Sequence, residues 1–485
     1  MLAAFIVLLR VAVLAGEFDT VITAATFEAA RENRTTLRAF LHRMPKGGDL
    51  HTHLAGAVYA ERFIAWAAQQ ELCTDPQKVV VPKPQCDRAG AVRASDAMRD
   101  QQLYNQLVDA FSMRAFLPTP AVPTGHDEFF AAFEKFGEVS GSHFVDMTID
   151  QLRRYDSENV QYVEFMVSSS CPNDRDRFVK AISEATDDAA KLTALEASGL
   201  GDCVAARRND LRAAIGKIRT ALACDTRDPQ PGCGVTFRYI VQVNRNNPPD
   251  EVFVQTAIAA ALIRAEPRVV ALNFVGPEDN LVARRDYTRH MQIIRFLAGD
   301  VPVALHAGEL WLGLVPPPDL TFHIREAIEI AGARRIGHGV ALAFERDMEG
   351  LLAEMRARPV AVEVCLTSTD LILGILGVRG KDHPLPAYLA AGVPVVLSSD
   401  DAGISRIDLT NEYVRAARDY GLEYRVLKAI AHNALIYSFL DEAQKRDELA
   451  RFDRACAEFE RSVASRQSPL QNAVTLIKAA VTLPP

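Results

Sequence analysis

A basic surface patch is the first feature that this sequence lacks. Its 485 residues contain no long block of lysine and arginine, and the formal net charge is -8 at pH 7. Proteins that bind nucleic acids need a basic footprint, because Lys and Arg side chains neutralise the phosphates. We therefore expect no nucleic-acid partner.

The eight cysteines include no C-x-x-C pair, which argues against a thioredoxin-like motif or a zinc ribbon. Two pairs, Cys73 with Cys86 and Cys224 with Cys233, each flank a short loop that contains proline. The pairs form local disulfides if the chain is exported, or they are free thiols in ordinary loops. The sequence leaves both alternatives open.

Beyond its first residues the sequence has no apolar run long enough to cross a bilayer, so we expect no stable membrane insertion. Residues 1–16 form a short apolar run that ends in small residues, as a signal peptide does. We predict a signal peptide here and export to the periplasm or the cell exterior. The alternative is an apolar N-terminal helix that packs on the body of a cytoplasmic protein.

Hydrophobic residues make up 49% of the chain, which is typical of a globular protein with a large core. Eight short runs, most of them rich in Val and Ile, indicate parallel strands that are covered on both faces. The runs are 49–54, 160–167, 235–243, 269–275, 301–306, 335–340, 360–366 and 393–398.

Helical patterns follow the later runs, and this alternation predicts a parallel sheet. Eight such units predict an α/β fold, a closed (β/α)8 TIM barrel. We expect one domain over residues 22–485, with a first helix over 22–43 and long insertions after the first and second strands. The other predicted helices are 205–223, 252–265, 288–297, 321–331, 346–358, 383–391, 412–419, 424–436 and 442–463, and the insertions span 55–159 and 168–234.

Polar residues stand at the ends of several predicted strands. His51 and His53, two residues apart on one strand, point to the same face. His306 ends the fifth strand and Asp400 the eighth, and every strand of such a barrel ends at the same mouth. Three imidazoles and one carboxylate suit Zn²⁺ best, and Fe²⁺, Co²⁺ and Mn²⁺ are the alternatives. An isolated His-x-His is more often an ordinary pair of histidines, but four such clusters in order argue against that interpretation.

Two further groups are candidates for acid–base chemistry. Glu309 follows His306 by three residues, and a carboxyl group in an apolar pocket has a raised pKa and can act as a general acid. The alternative is a carboxylate that stabilises a helix N-terminus. His338, between two glycines, can deprotonate or orient a water molecule, or it is a structural histidine.

Asp401 and Gly276 are candidates for substrate contacts. Asp401 follows Asp400 as the strand ends and can reach a substrate, although aspartate also favours turns. Gly276 follows an apolar run and can expose its backbone N–H to a ligand, or it is an ordinary loop glycine.

As a set, these clusters resemble the adenosine deaminases of the metal-dependent amidohydrolase superfamily. The matching segments follow the family's order over about residues 44 to 440. They are 44–56 (MPKGGDLHTHLAG), 272–278 (LNFVGPE), 306–309 (HAGE), 335–339 (RIGHG), 363–368 (EVCLTS) and 397–401 (LSSDD). The Met-Pro-Lys-Gly opening and the signal-like N-terminus are similar to the secreted growth-factor-like branch.

The resemblance implies a barrel, one Zn²⁺ per chain and hydrolytic deamination of adenosine or 2′-deoxyadenosine to inosine or 2′-deoxyinosine. It implies that Glu309 protonates N1 of the purine and that His338 assists the attacking water. Asp401 corresponds to the carboxylate near N7, and Gly276 to the backbone donor to N3. The implied metal ligands are His51, His53, His306 and Asp400.

One departure from the family pattern concerns the sugar. The family often has an aspartate that contacts the ribose two residues after the second histidine, where this sequence has Ala55. The segment 365–368 also differs from the Pro-containing types common in the family. Two alternatives therefore stay open: a deaminase of adenine or a modified adenosine on the same scaffold, and a non-catalytic secreted binding protein. The sequence lacks the H-x-E and P-C-x-x-C pattern of deaminases that act on nucleic acids.

Overall fold

The computed structural model describes residues 2–171, 174–378 and 380–466. Residue 1 of the predicted signal peptide and residues 467–485 of the predicted domain lie outside these ranges. Among the helices of the described ranges, none has both the length and the apolar character that a membrane crossing requires.

Eight parallel strands form the centre of the molecule, in two sheets of four. Each of the eight overlaps one of the runs predicted from the sequence. In chain order the strands of the described residues are β1 (Gly48–His53), β2 (Cys73–Thr74), β3 (Val80–Val81), β4 (Val92–Arg93), β5 (Tyr162–Ser168), β6 (Thr236–Asn244), β7 (Val269–Val275), β8 (Ala304–Ala307), β9 (Arg335–His338), β10 (Ala361–Val364) and β11 (Val395–Leu397).

The order of these strands places the first beside the last. One sheet has the order β1-β5-β6-β7 and the other β11-β10-β9-β8. Isolated parallel bridges between Leu272 and Val303 and between Thr52 and Asp400 connect the two sheets. Parallel strands in this circular order, alternating with helices, fit the predicted TIM barrel.

Helices cover the sheets and extend the chain at both ends. They are α1 (Leu2–Arg31), α2 (Arg34–Arg43), α3 (Ala60–Gln69), α4 (Gln101–Ala110), α5 (Gly125–Ser140), α6 (Phe144–Ser157), α7 (Arg175–Ile182), α8 (Asp188–Ala197), α9 (Leu200–Ala221), α10 (Pro249–Ala265), α11 (Leu281–Arg285), α12 (Tyr287–Leu297), α13 (His323–Glu329), α14 (Met348–Ala357), α15 (Leu366–Leu373), α16 (Leu385–Ala390), α17 (Ala402–Ser405), α18 (Leu409–Asp419), α19 (Tyr424–Ile436) and α20 (Glu442–Ala464).

The helix predicted over residues 22–43 is wrong as one continuous element. The chain leaves the helical conformation after Arg31, and α2 begins at Arg34. Asn33 adopts an extended backbone, and its side-chain oxygen accepts hydrogen bonds from the backbone N–H groups of Thr35 and Thr36. Asparagine is a strong N-cap residue, so the side chain of Asn33 ends one helix and starts the next.

The core of the molecule is made by the strands and the helices around them. All residues of β7 except Val275 are buried, as expected of a strand covered on both faces. On the helix side, α10 buries nine of its residues, many of them Ala, Val and Ile. One cluster of buried apolar side chains extends along the chain from Phe27 to Val463. This core holds the carboxyl ends of the parallel strands, where the candidate site lies.

Disulfides resolve the question that the cysteine spacing left open. Cys73–Cys86 and Cys224–Cys233 are both bonded. The first of these lies beside a small antiparallel sheet, β3-β2-β4, in the connection between β1 and β5. A third bond, Cys171–Cys203, joins the end of β5 to α9 and was not predicted.

Candidate metal centre

The four predicted metal ligands meet at the carboxyl ends of three strands. His51 and His53 lie on β1, His306 lies on β8, and Asp400 follows β11. Their ligand atoms all lie within 4.8 Å of one another. The Nε2 atoms of His53 and His306 are 3.2 Å apart, and Oδ1 of Asp400 is 3.4 Å from Nε2 of both His51 and His53.

The backbone at this centre is held in uncommon conformations. His338 and Asp400 have φ angles of 66° and 55°, in the left-handed region that residues with a Cβ rarely adopt. Such residues carry about 1–3 kcal/mol of strain each and cluster at functional sites. Gly337 allows another close approach, because a Cβ there would lie 2.6 Å from Cε1 of His51.

Each histidine of the centre is oriented by a side chain from a different strand. Nδ1 of His51 lies 2.7 Å from Oε2 of Glu363, and Nδ1 of His306 lies 2.9 Å from Oδ1 of Asn273. Nδ1 of His53 lies 3.1 Å from Oε1 of Gln242. These contacts leave the Nε2 atoms for an ion, which is how proteins usually hold histidine ligands.

The sequence did not identify these orienting residues. Glu363 and Asn273 lie inside segments that carry the family resemblance, but nothing in the spacing shows which histidine each contacts. Gln242 lies in a strand predicted only from its apolar pattern. Sequence position therefore located the ligands and missed the residues that orient them.

Two observations test whether a metal ion fits here. Nε2 of His51 and Oδ1 of Asp400 are buried and have no hydrogen-bond partner. Buried polar atoms are nearly always paired, so these two atoms indicate a ligand at the centre. Three imidazole nitrogens and one carboxylate oxygen form a donor set that suits Zn²⁺. The residues present therefore fit the ion that the sequence predicts.

The electrostatics of the centre favour a cation. Burial opposes protonation of His51, but Asp400 and Glu363 outweigh burial and raise the pKa of His51 to about 10. Burial also opposes ionisation of Asp400, yet His51 holds the pKa of that carboxyl well below its usual range. Burial lowers the pKa of His306 well below normal, so its imidazole is neutral. The carboxylates of Asp400 and Glu363 thus favour a positive charge at Nε2 of His51. Either a proton or a metal ion can supply that charge.

Glu309 and His338 lie beside the four ligands and face each other. Nδ1 of His338 is 3.4 Å from Oε1 of Glu309, and both atoms lack a hydrogen-bond partner. Burial, with the nearby charges of Asp400 and Glu278, raises the pKa of Glu309 well above its ordinary value. Burial lowers the pKa of His338 to about 3. A protonated carboxyl and a neutral imidazole are therefore available for proton transfer near neutral pH.

A buried carboxylate that the sequence did not single out holds the loop of Glu309. Glu278 accepts hydrogen bonds from the backbone N–H groups of Gly308 and Glu309, at 3.0 and 2.8 Å. Its Oε1 also lies 2.6 Å from Nδ1 of His323 and 3.6 Å from Nη1 of Arg245. Burial raises the pKa of Glu278, but His323 and Arg245 outweigh burial and lower it to about 2. Glu278 is therefore ionised and fixes the turn from which the Glu309 side chain projects.

The two predicted substrate contacts lie at the same rim. Asp401 is buried, and its Oδ1 has no partner. Burial and the neighbouring Asp400 raise the pKa of Asp401 well above normal. Gly276 directly follows β7 with a φ of 93°, a conformation that favours glycine. The substrate-binding roles of Asp401 and Gly276 stay predictions.

A comparison with known protein families finds a match that covers about half of the chain. Residues 206–455 match the family model described as adenosine deaminase. This match includes β6 to β11 and every predicted site residue except His51 and His53.

Among curated proteins, similar sequences include three deaminases with different substrates. An aminodeoxyfutalosine deaminase of Streptomyces coelicolor is 34% identical over 41% of this chain and 48% of its own length. An adenosine deaminase of Salmonella typhi is 31% identical over 38% of this chain and 51% of its own length. An adenine deaminase of Rhizobium leguminosarum is 29% identical over 45% of this chain and 62% of its own length. The chain spans about half the length of the curated relatives it matches.

Solved structures with the same fold include two that cover most of the chain. The N6-methyl-AMP deaminase of Arabidopsis thaliana is 18% identical, with a TM-score of 0.56, over 87% of this chain and 99% of its own. An amidohydrolase of Burkholderia ambifaria with bound Zn is also 18% identical, with a TM-score of 0.52, over 88% of this chain and 95% of its own. At this identity the likeness concerns the fold alone.

Proposed function

Because this chain belongs to the adenosine deaminase family, we propose that it catalyses the zinc-dependent hydrolytic deamination of adenosine and 2′-deoxyadenosine. The products are inosine or 2′-deoxyinosine and ammonia. The observation that carries this proposal is the convergence of four metal ligands beside a protonated carboxyl group. The ligands are His51, His53, His306 and Asp400, and the carboxyl group is that of Glu309.

The role of the metal in this reaction is to activate water. When bound by the four ligands, zinc lowers the pKa of water and so supplies a nucleophile near neutral pH. The amidohydrolase of Burkholderia ambifaria, which binds Zn, supports the choice of this ion.

The residues of the chain supply the proton transfers. Protonated Glu309 donates to N1 of the purine, which makes C6 electrophilic. Neutral His338 takes the proton of the water whose oxygen bonds to C6. The C6–N6 bond then breaks, and the amine leaves as ammonia. The proton that His338 took returns to Glu309, whose carboxyl group lies 3.4 Å from Nδ1 of His338. The second proton of the water leaves with the amine, so the net reaction adds one proton to N1 and one to the ammonia.

Two further groups hold the purine in place. The carboxyl group of Asp401, protonated because its pKa is raised, donates a hydrogen bond to N7. The backbone N–H of Gly276 donates to N3 at the opposite edge of the purine. Contacts on both edges fix C6 beside the metal ligands, and such positioning contributes a large share of catalysis.

The test is turnover of adenosine by protein prepared with and without zinc. We expect loss of the purine absorbance and release of one ammonia per nucleoside only with the zinc-loaded protein. The same panel includes 2′-deoxyadenosine, adenine and adenosine 5′-monophosphate. If the zinc-loaded protein deaminates none of the four, the proposed function is wrong.

A second candidate function is deamination of a related 6-aminopurine, either adenine or a modified adenosine, by the same fold. Two observations favour it: Ala55 stands where the family often has its ribose-binding aspartate, and the relatives include deaminases of adenine and aminodeoxyfutalosine. A non-catalytic binding protein is disfavoured, because such proteins usually lose a ligand or the acid, and this chain keeps both.

We also propose that the protein is exported and folds in an oxidising compartment. Three disulfides support this proposal, because such bonds persist mainly outside the reducing cytosol. Titration of thiols in unfolded, unreduced protein should find two, Cys365 and Cys456. Eight free thiols in protein isolated from its natural source without reductant would contradict the proposal.

A further inference from the structure

A cavity of about 500 Å³ opens at the carboxyl ends of β5, β6 and β7, where these strands meet α7 and α10. Its wall includes Ser168 at the end of β5, Asn244 at the end of β6 and Val275 at the end of β7. Binding sites of parallel α/β folds lie at this end of the strands, and the volume is in the range of small-molecule pockets. None of the roles proposed above uses this space.

The cavity is connected to the metal centre through one side chain. Gln242 lines the cavity, and its Oε1 lies 3.1 Å from Nδ1 of the metal ligand His53. The amide group of Gln242 also donates a hydrogen bond of 2.9 Å to Oγ of Ser168 on the cavity wall. A ligand in the cavity is therefore one side chain away from the predicted metal ligand His53.

The orientation of the purine in the proposed function points its sugar toward this cavity. In a purine, N3 and N9 are both bonded to C4, so a substituent on N9 projects from the same edge as N3. Gly276, the donor to N3, follows Val275 of the cavity wall directly. A Cβ on Gly276 would lie 3.0 Å from Oδ1 of Asn244, which also lines the cavity. With C6 at the metal ligands, the N9 substituent is thus directed at the cavity.

The described residues that line the cavity combine polar with apolar side chains and include no unpaired charge. Among the described residues that line it, only Arg175 and Glu251 are charged, and they form an ion pair of 2.6 Å. The other polar side chains are serine, asparagine and glutamine, which exchange hydrogen bonds with hydroxyl groups. Hydroxyl groups of a sugar fit such a wall, whereas a phosphate finds its nearest cation already paired.

We infer that this cavity receives the N9 substituent of the substrate, and that the substrate is a nucleoside with an uncharged sugar rather than a free base or a nucleotide. This inference rests on the proposed function and selects among its candidate substrates. The cavity also compensates for Ala55, since the sugar gains its contacts from β5, β6 and the loops that follow them.

The test uses two variants, each of which places a larger side chain in the cavity from a different loop, and compares kcat/KM for several purines. The variants are Ser170→Leu in the loop after β5 and Asn247→Leu in the loop after β6, and both residues line the cavity. The zinc-loaded wild type should prefer adenosine to adenine and to adenosine 5′-monophosphate by at least about tenfold in kcat/KM. In each variant the ratio of kcat/KM for adenosine to kcat/KM for adenine should fall at least about tenfold, mainly because KM for adenosine rises. Ser183→Leu, at an exposed position that follows α7 outside the cavity, is the matched control and should keep the wild-type ratio.

Equilibrium binding of products gives a second readout that does not depend on turnover. Wild-type protein should bind inosine more tightly than hypoxanthine, and Asn247→Leu should weaken inosine binding about tenfold while leaving hypoxanthine binding unchanged. Wild-type protein that binds the two equally overturns the inference even if both variants fail to fold. Variants that reduce adenosine and adenine turnover by the same factor also overturn it. In both cases deamination itself persists, whereas protein that deaminates none of the purines contradicts the proposed function instead.

Discussion

Glu309 has the properties of a general acid because of its surroundings, not because of its sequence position. Its carboxyl group is buried, and the negative charges of Asp400 and Glu278 lie nearby. Both effects favour the protonated form, as in other buried catalytic carboxyls. Glu309 is not one of the four ligands that converge at the centre. Its removal should therefore separate chemistry from metal binding.

Glu309→Gln should bind zinc as the wild type does and lose about 10²–10⁴-fold in kcat, the usual contribution of a general acid. Glutamine keeps the shape of the side chain, and its amide N–H can donate a hydrogen bond but is too weakly acidic to transfer a proton to N1. Zinc content by metal analysis and kcat with adenosine are the measurements. Glu349→Gln, at an exposed position on α14, is the control and should change neither value. Normal turnover by Glu309→Gln would remove its assigned role.

Glu363 orients His51, the first of the two metal-ligand histidines on β1. It contacts Nδ1 of His51 with one oxygen and forms a buried ion pair with Arg335 through the other. Partners of this kind fix the ring orientation of metal-binding histidines and increase their basicity.

Glu363→Gln should weaken zinc binding about 10–100-fold, the typical effect of removing such a partner. It should also lower the melting temperature, because Arg335 loses one of its two buried carboxylate partners. Competition with a chelator, measured below the melting temperature, gives the affinity of the folded protein. An affinity equal to that of the wild type and of Glu349→Gln would show that His51 is oriented without Glu363.

At this scale the sequence predicts which side chains meet but not what surrounds them. His51 and His53 could be placed on one face because the strand repeat is two residues. His306 and Asp400 could be placed at the same mouth because parallel strands end together. The contacts of Glu363 and Asn273, and the positive φ angles of His338 and Asp400, depend on how distant strands pack. No local pattern encodes those features.

At the scale of elements, the turn after β1 and the turn after β11 pack against each other without space between them. The backbone carbonyl of Gly56 accepts hydrogen bonds from the N–H groups of Gly403 and Ile404 in α17. A Cβ on Gly56 would lie 1.6 Å from Oδ1 of Asp401, far inside van der Waals contact. Glycine at position 56 therefore leaves room for the Asp401 carboxyl group.

Gly56→Ala should displace the Asp401 side chain and lower kcat/KM with adenosine at least about tenfold, since one misplaced contact costs up to about 10²-fold. Zinc content should stay at the wild-type value, because Asp401 is not among the four converging ligands. Gly216→Ala on α9, where a Cβ meets no atom within 4 Å, is the matched control and should keep full activity. Equal kinetics for the two variants would contradict the proposed contact between Asp401 and the purine.

The elements that the sequence predicted are those with a strong local pattern. Eight short runs, most of them rich in Val and Ile, located all eight parallel strands, and α19 begins and ends at the predicted residues. The break at Asn33 was missed because a single capping residue interrupts an otherwise helical pattern. The strands β2 to β4 were missed because two residues each are too short to show a repeat.

The whole molecule combines a barrel-like core with connections that are fixed covalently. The Cys171–Cys203 bond closes a loop of 32 residues between the end of β5 and α9, whereas Cys224–Cys233 closes a loop of only 9. The first bond could not be predicted, because cysteines so far apart in sequence are paired only by the packing of their elements. The same bond anchors the chain that borders the cavity proposed for the sugar.

The two disulfides should differ in how much they stabilise the fold. A cross-link restricts the unfolded chain more when its loop is longer, so the bond over 32 residues should contribute about 1 kcal/mol more than the bond over 9. We therefore expect the double variant Cys171→Ser/Cys203→Ser to melt at a lower temperature than Cys224→Ser/Cys233→Ser, with both zinc-loaded and scanned at the same rate. The buried positions of Cys171 and Cys203 act in the same direction, because serine places hydroxyl groups in an apolar site. Equal melting temperatures, or the reverse order, would show that the connection between β5 and β6 is held by packing rather than by its cross-link.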